Sequence, residues 1–406
     1  MNLLQLSWKN LSFRPFSTLL IVVLFALGIG LISFLLNIET QIQEKFEKNQ
    51  AGIQMVVGAK GSPLQLILCS MYHIDAPTGN ILLKEAAPLM NPNHPIIAMA
   101  VPLSLGDNYR GHRIVGTTKQ FPDLYQGKIS AGSWGEEVME VVVGANVSKS
   151  LNLQVGSTFR SSHGLINDTL SEAHEHPFVV KGIYAPTGSI LDELITTPLE
   201  SIWHVHEHHD AADHVETDHP EEEAEKAITS LLIKFKGTNI RSLNFLRNIN
   251  ENTNMQAANP ALEINRLYLL MGSGLEAIQW LGWLIMLVSG FSVLVALLNA
   301  LSERKKELAL LRILGASPIQ LLFLIIFEGV LLALLGYGLG IILSHSCLWL
   351  AADQLQKVYN YAFDPVLFLP AEAWLFVGAL CIGVITAFYP AIKAYRTNLH
   401  ETLSES

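Results

Sequence analysis

The side chains best suited to chemistry lie in one biased segment. Residues 204–225, HVHEHHDAADHVETDHPEEEAE, set His204, His206, His208, His209, His214 and His219 among nine acidic residues. Neutral imidazoles beside carboxylates suit zinc, copper or nickel at neutral pH. These histidines share no fixed spacing, so a rigid catalytic metal centre is not read from them. Two readings stay open: a loop that collects zinc, and a solvated acidic insertion with no ligand. His163, His174 and His176 add a second candidate group. The segment carries too little apolar surface to fold alone and is expected to be a solvated loop.

Other chemistries find little support. The Gly-rich piece Gly58-Ala59-Lys60-Gly61-Ser62 lacks the GxxxxGK[ST] spacing that cradles nucleotide phosphates. Neither a G-x-S-x-G elbow nor an H-E-x-x-H helix is present. Cys69, Cys347 and Cys381 are too far apart for a thiolate zinc site or a dense disulfide framework. With 26 Lys+Arg against 36 Asp+Glu, the net charge of −10 gives no positive footprint for nucleic acid. No catalytic residue is assigned, and the chain is read as a non-enzyme.

The elements that must carry any function are largely membrane-like. Half of the 406 residues are apolar and 15% are charged, with a mean hydropathy of +0.34. Residues 17–36 are twenty uncharged positions, about 30 Å of helix and enough to cross a bilayer. Their length, with no A-x-A site before the charged segment 39–48, favours a retained anchor over a cleaved signal peptide. Before them, Leu3, Leu6, Trp8, Leu11 and Phe13 alternate with Lys9 and Arg14, as in a helix lying in the membrane interface. Residues 277–301, twenty-five positions without a charge, form a second span, and 371–391, read as another uncharged run broken near its end by Pro390, a fourth. Between them, 318–343 is apolar except for Glu328. That carboxylate is either a polar contact at a helix interface or a group reaching toward headgroups.

Orientation follows from Lys9 and Arg14, from Arg304, Lys305, Lys306 and Arg312, and from Lys393 and Arg396. Four spans put all three basic clusters on one side, the cytoplasmic one. The expected plan is an interfacial helix at 1–16, a first span at 17–38, and an exported domain with stalk helices at 39–275. A second span at 276–301 leads to a cytoplasmic helix at 302–317, a third span at 318–344, a short outer loop at 345–370, a fourth span at 371–391 and a cytoplasmic tail at 392–406. The fold class is thus a membrane protein of four transmembrane α-helices with a large α+β extracytoplasmic domain between the first two. Strand-like runs at 96–103, 140–143, 178–184 and 231–235 are separated by turn signals at Gly106-Asp107-Asn108 and Pro186-Thr187-Gly188. At 302–317 a charged turn precedes Leu308, Leu310, Leu311, Ile313 and Leu314, and Gly315 is placed to end the helix. Such an amphipathic helix lies on a membrane or in a partner's groove.

The run ERKKELALLRILGAS resembles the signature of FtsX-like ABC transporter permeases, and Glu328 followed by Gly336, Gly338 and Gly340 is similar to that family's next span. The closing YPAIKAYRTNLHETL is similar to the family's terminal segment. VVVGANVSKSLNLQVGSTF and GIYAPTGSILDELITTPLESIW resemble the MacB-type (MacB/LolC/DevC-like) periplasmic core domain. This resemblance implies a permease of the mechanotransmission kind in the inner membrane, paired with a second copy or a related permease. It implies ATP–Mg bound by a cytoplasmic ABC ATPase subunit and no cofactor in this chain beyond the zinc reading above. A periplasmic adaptor and membrane lipid complete the expected partners. Glu303, Glu307, Arg312 and Gly315 are the expected ATPase contacts. The implied substrate is hydrophobic, peptide or lipoprotein-like; a zinc-homeostasis permease and an FtsX-like signalling scaffold are the alternatives. Within VGAKGSPLQLILCSMYHIDAPTGNI, Lys60, Tyr72, His73 and Asn80 are expected as accessible polar groups, against a structural turn-rich connection.

Overall fold

The computed structural model describes residues 3–13, 15–163, 176–205, 226–237, 240–359 and 363–396. The chain divides into two compact units, one of residues 1–42, 271–354 and 362–406, the other of residues 43–270 and 355–361.

Helices build the first unit. α1 (Leu3–Ser12) is followed by α2 (Pro15–Gln50). In the second unit come α3 (Pro63–Tyr72), α4 (Ala145–Leu151) and α5 (Ile240–Asn252). The first unit resumes along α6 (Pro260–Glu303), then α7 (Lys305–Ile313), α8 (Pro318–Tyr359) and α9 (Pro370–Tyr395). Among the described residues four helices are long and apolar enough to cross a membrane: α2, α6, α8 over Pro318–Ala352, and α9. α2 and α6 each continue as one helix well past their apolar windows, because Glu39–Gln50 and Pro260–Met271 keep helix-forming residues without a Gly or Pro interruption inside. The segment 345–370 was expected as a short loop; α8 instead continues through it as far as Tyr359.

The bundle is tied by close backbone approach. A Cβ on Gly30 would lie 3.0 Å from the Gly340 carbonyl oxygen, and one on Gly329 would lie 2.6 Å from that of Gly383. Glycine at these points lets α2 meet α8 and α8 meet α9 at contact distance, the usual device where helices gain little from hydrophobicity in lipid. Phe25, Ile29, Ile32, Met286, Ala333, Leu375 and Ala379 fill one buried cluster of the bundle.

The second unit is α+β. Its main sheet runs β13-β1-β12-β3-β4-β10-β6-β9-β5, with β7 paired to β9 and β8 to β3. Here β1 is Met55–Ala59, β3 Ile97–Tyr109, β4 His112–Thr117, β5 Ile129–Gly132, β6 Glu140–Val143, β7 Thr158–Phe159, β8 Ser162–His163, β9 Phe178–Tyr184, β10 Ile195–Pro198, β12 Ser230–Phe235 and β13 Met255–Ala258. β2 (Ile81–Leu82) and β11 (Ala227–Ile228) form a separate pair. The long β3 joins two cores: its first half pairs β12 beside a cluster containing Met55, Val57, Leu231 and Ile233. Its second half pairs β4 beside one containing Ile114, Val141, Phe178 and Ile195.

Gly106-Asp107-Asn108, expected as a turn, lies inside β3. The register of β3 against β4 shifts between Leu105 and Asp107, so Gly106 is absorbed as a bulge. The reversal falls instead at Arg110 (φ 50°) and Gly111 (φ 88°), where two left-handed residues suit the twist of a tight hairpin.

Candidate functional site

α7 is closed at its C-terminal end by local chemistry. After Leu314 the chain enters the left-handed region at Gly315 (φ 101°). The Ala316 N–H donates to the Leu311 carbonyl at 2.9 Å and the Gly315 N–H to that of Arg312 at 3.1 Å, a Schellman arrangement. Ser317 then caps α8. Its N–H donates to Gln320 Oε1 at 2.9 Å, and the Gln320 N–H donates to Ser317 Oγ at 3.3 Å, with Pro318 at the first helical position. The turn between α7 and α8 is therefore held by three kinds of cap within seven residues, L-G-A-S-P-I-Q.

The helix has two faces. Leu308 and Leu311 pack into a buried cluster with Leu321, Leu324 and Ile325 of α8 and Ala391 and Ala394 of α9. Leu310 and Ile313 are each 57% exposed and Leu314 76% exposed; Glu307 is exposed beside them. Positions 307, 310, 313 and 314 share one side of a helix, so apolar side chains and a carboxylate face outward together.

Of the residues expected to form the contact, Glu307 is on the outward face and Gly315 shapes the exit turn. The expected helix at 302–317 is shorter: α7 covers Lys305–Ile313, and Glu303 is the last residue of α6. Arg304, with φ −99° and ψ 13°, is the break between them. Arg312 is half-buried in the last turn of α7, where a cation complements the helix dipole.

Glu328 is buried, nearly three turns into α8 from its start at Pro318. Asn10 Nδ2 donates to its Oε1 at 2.6 Å, and Arg304 Nη1 lies 3.7 Å from the same oxygen. Arg304 Nη2 also donates to the Asn10 carbonyl at 2.9 Å. The three residues, with Glu303 and Thr18, line a cavity of about 300 Å³. α1 docks here through Leu6 and Leu11, which pack on the bundle cluster, and through Ser7, whose Oγ donates to the Leu324 carbonyl at 3.3 Å. Trp8 and Phe13 stay exposed on the other side of α1. Of the two readings of Glu328, the structure favours a contact between helices.

A second buried carboxylate, at the start of α9, is not among the expected site residues. The run 371–391 is not free of charge: it contains Glu372, which is 0% exposed. Ser33 Oγ and Asn37 Nδ2 of α2 donate to its Oε1 at 2.5 and 2.8 Å, and His345 Nε2 of α8 lies 3.3 Å away. Its Oε2 accepts the Leu369 N–H at 3.0 Å. The signal available was the Pro370-Ala371-Glu372 start of the run, where Pro and an acidic residue in the first turn mark a helix N-terminus.

The metal candidates do not assemble in what is described. His206, His208, His209, His214 and His219 lie outside the described residues, as does His174. His204 is within reach of His176, with ring centroids 5.4 Å apart. Among the described residues, no group of three or more His, Cys, Asp or Glu side chains is placed to hold an ion.

Tyr72 and His73 are not accessible, contrary to expectation: both are buried, at 1% and 0% exposure. Tyr72 donates its hydroxyl to the Phe46 carbonyl at 3.2 Å, and His73 closes α3 with φ 53°. Burial, aided by the Arg113 guanidinium, pushes the His73 imidazole down to about 3. The apolar row Leu66, Ile67 and Met71 turns this end of α3 inward and carries both side chains with it. Lys60 and Asn80 are exposed as expected.

Residues 16–246 match the MacB-like periplasmic core domain family, and residues 281–399 match the FtsX-like permease C-terminal family. The pyoverdine export ATP-binding/permease protein PvdT of Pseudomonas syringae pv. syringae is 35% identical over 32% of this chain and 18% of its own length. The macrolide export ATP-binding/permease protein MacB of Photorhabdus laumondii is 33% identical over 29% of this chain and 18% of its own. The ABC transporter permease YtrF of Bacillus subtilis is 24% identical over 30% of each. The matched stretch thus spans less than a third of these relatives. Among solved structures, the periplasmic region of MacB from Actinobacillus actinomycetemcomitans is 14% identical, with a TM-score of 0.34, over 55% of this chain and 97% of that one.

Proposed function

The chain belongs to the FtsX-like permeases that carry a MacB-like periplasmic core domain, and from that premise we propose that it is the permease subunit of an ABC transporter working by mechanotransmission. ATP hydrolysis occurs on a separate cytoplasmic ATPase that docks on α7. Two permease chains, identical or related, pair in the inner membrane with both termini inside. α2 and α6 carry the motion outward. At 36 and 44 residues they are roughly 54 and 66 Å long, against about 30 Å of hydrocarbon. The motion serves to export or extract a hydrophobic, peptide or lipoprotein-like substrate at the outer face of the membrane. The names of the relatives concern export of a macrolide and of pyoverdine, which supports export as the direction.

The observation that carries this reading is the outward row Glu307, Leu310, Ile313 and Leu314 on a helix with a closed C-terminal turn. Exposed leucines cost nothing to replace in the isolated chain but supply the apolar core of a helix-in-groove contact. Arg304 couples that contact to Glu328 and α1, so a push on α7 reaches α8 and the start of α2 through one buried ion pair. The test is purification of the full-length chain with its co-eluting ABC ATPase. Leu310→Glu combined with Ile313→Glu is expected to abolish co-elution while thermal unfolding of the permease is unchanged. Retained co-elution, or labelling of a Ser317→Cys variant from outside intact cells, overturns the reading.

A further inference from the structure

Three turns of the second unit meet at a cavity of about 630 Å³. The first follows α2, with Ala51 at φ 49° and Gly52 at φ 73°; the second holds Gln126 at φ 54°; the third holds Gly188 at φ 65°. Left-handed backbone at two non-glycine residues of the lining, Ala51 and Gln126, is a costly arrangement of the kind that clusters at ligand sites. Three lysines reach the lining: Lys48 from the last turn of α2, Lys128 just before β5, and Lys234 from β12.

None of the three ammonium groups forms an ion pair or side-chain hydrogen bond among the described residues. Among the described residues of the lining Asp123 is the single acidic one, against three lysines, which leaves a surplus of two positive charges there in a chain whose net charge is −10. The glycines keep the amines open. A Cβ on Gly188 would sit 2.7 Å from Lys48 Nζ, and one on Gly52 3.6 Å from Lys234 Nζ. The third turn is rigid, because the Asp192 carboxylate accepts the Thr187 and Gly188 N–H groups at 2.8 and 2.6 Å from behind. Thr187 and Ser189 line the same cavity with hydroxyls, and Leu124 and Tyr125 give it an apolar edge.

We propose that this cleft binds a dianion of the phosphate-monoester class, with Lys48, Lys128 and Lys234 as its charge partners. Two surplus positive charges match a group that carries nearly two negative ones at pH 7. Like charges gathered along one lining repel one another when it is empty, and an anion between them relieves that repulsion. The group is carried by a free phosphate or by a lipid headgroup. The assignment stands apart from the transport reading, since it concerns binding without an ATPase.

The test uses the full-length chain in an uncharged maltoside detergent, titrated calorimetrically at low salt with inorganic phosphate and with dihexanoyl phosphatidic acid. Binding of at least one probe is expected, weakening with added salt. Binding of both places the recognition in the phosphate alone; binding of the lipid alone shows that the apolar edge contributes. Each of Lys48→Gln, Lys128→Gln and Lys234→Gln should weaken binding about fivefold, and the triple variant at least thirtyfold. The exposed Lys149→Gln should leave it unchanged. The single variants keep the test decisive if the triple variant does not fold. Failure of both probes, wild-type affinity in the lysine variants, or an equal loss in Lys149→Gln overturns the proposal.

Discussion

Arg304 and Asn10 hold the same oxygen of Glu328 from two directions, the guanidinium at 3.7 Å and the side-chain amide at 2.6 Å. A buried carboxylate is thereby shared by the break between α6 and α7 and by α1. Taking away one partner of such a pair strands a charge, whereas taking away both leaves only polar contacts. Arg304→Gln is expected to destabilise the detergent-solubilised chain by about 3 kcal/mol, and Glu328→Gln by less, since Asn10 keeps a hydrogen-bonding partner. The double variant should recover most of the loss. Thermal unfolding of the three variants checks this; strict additivity would mean that the two groups are not coupled.

Glu372 makes a sharper case, because its carboxylate accepts from two side chains of α2 and caps the start of α9. Glu372→Ala leaves the Leu369 N–H without its acceptor and takes the carboxylate from Ser33 and Asn37, which keep Ser344 Oγ and the Ser33 carbonyl as partners, at a cost of about 1–3 kcal/mol for the buried group left unpaired. Glu372→Gln keeps one acceptor oxygen and should lose much less. A large difference in unfolding temperature between the two variants is expected. Equal loss would show that charge, and not the hydrogen bonds, holds the three helices here.

The contrast between these sites shows what a sequence can disclose. The exit from α7 was legible at Gly315 because a cap is local chemistry, completed by Ser317 and Gln320 within a few residues. β6 and β9 were legible because their apolar runs are short and bounded. Gly106-Asp107-Asn108 was misread because the bulge there depends on pairing with β4 and β8, far along the chain. Glu328 stood out as a lone charge in a long apolar run. Glu372 sits where the run begins, and its partners Ser33, Asn37 and His345 come from other helices. The burial of Tyr72 and His73 was hidden for the same reason: Phe46 and Arg113 approach them from distant segments.

Gly315 tests the turn. At φ 101° it lies where a side chain is strained, though nothing stands within 4 Å of a Cβ placed there. Gly315→Val should therefore cost about 1–2 kcal/mol from the backbone alone, and shift or fray the end of α7. If α7 is the docking helix, the same change reduces ATPase co-elution by more than its stability loss explains. Gly315→Asn, which tolerates left-handed backbone better, should fall between the two. Full co-elution with Gly315→Val would separate the turn from the contact.

His73 gives the second unit a dependence on acidity whose sign is fixed. Its imidazole, held near a pKa of about 3 by burial and by Arg113, stays neutral in the folded chain where an unfolded one, at 6.5, takes up a proton. Between those values the unfolded state binds more protons, so stability is full above about pH 6.5 and declines as pH falls toward 3. His73→Asn removes the titrating group while accepting the left-handed backbone at φ 53° that ends α3. Chemical denaturation of the full chain at pH 7.5 and pH 5 should show a smaller acid-dependent loss in the variant than in the wild type. An identical loss would place the acid sensitivity elsewhere, and Glu193, whose pKa burial raises so that its folded carboxyl keeps a proton to higher pH, works in the opposite direction and is the natural control.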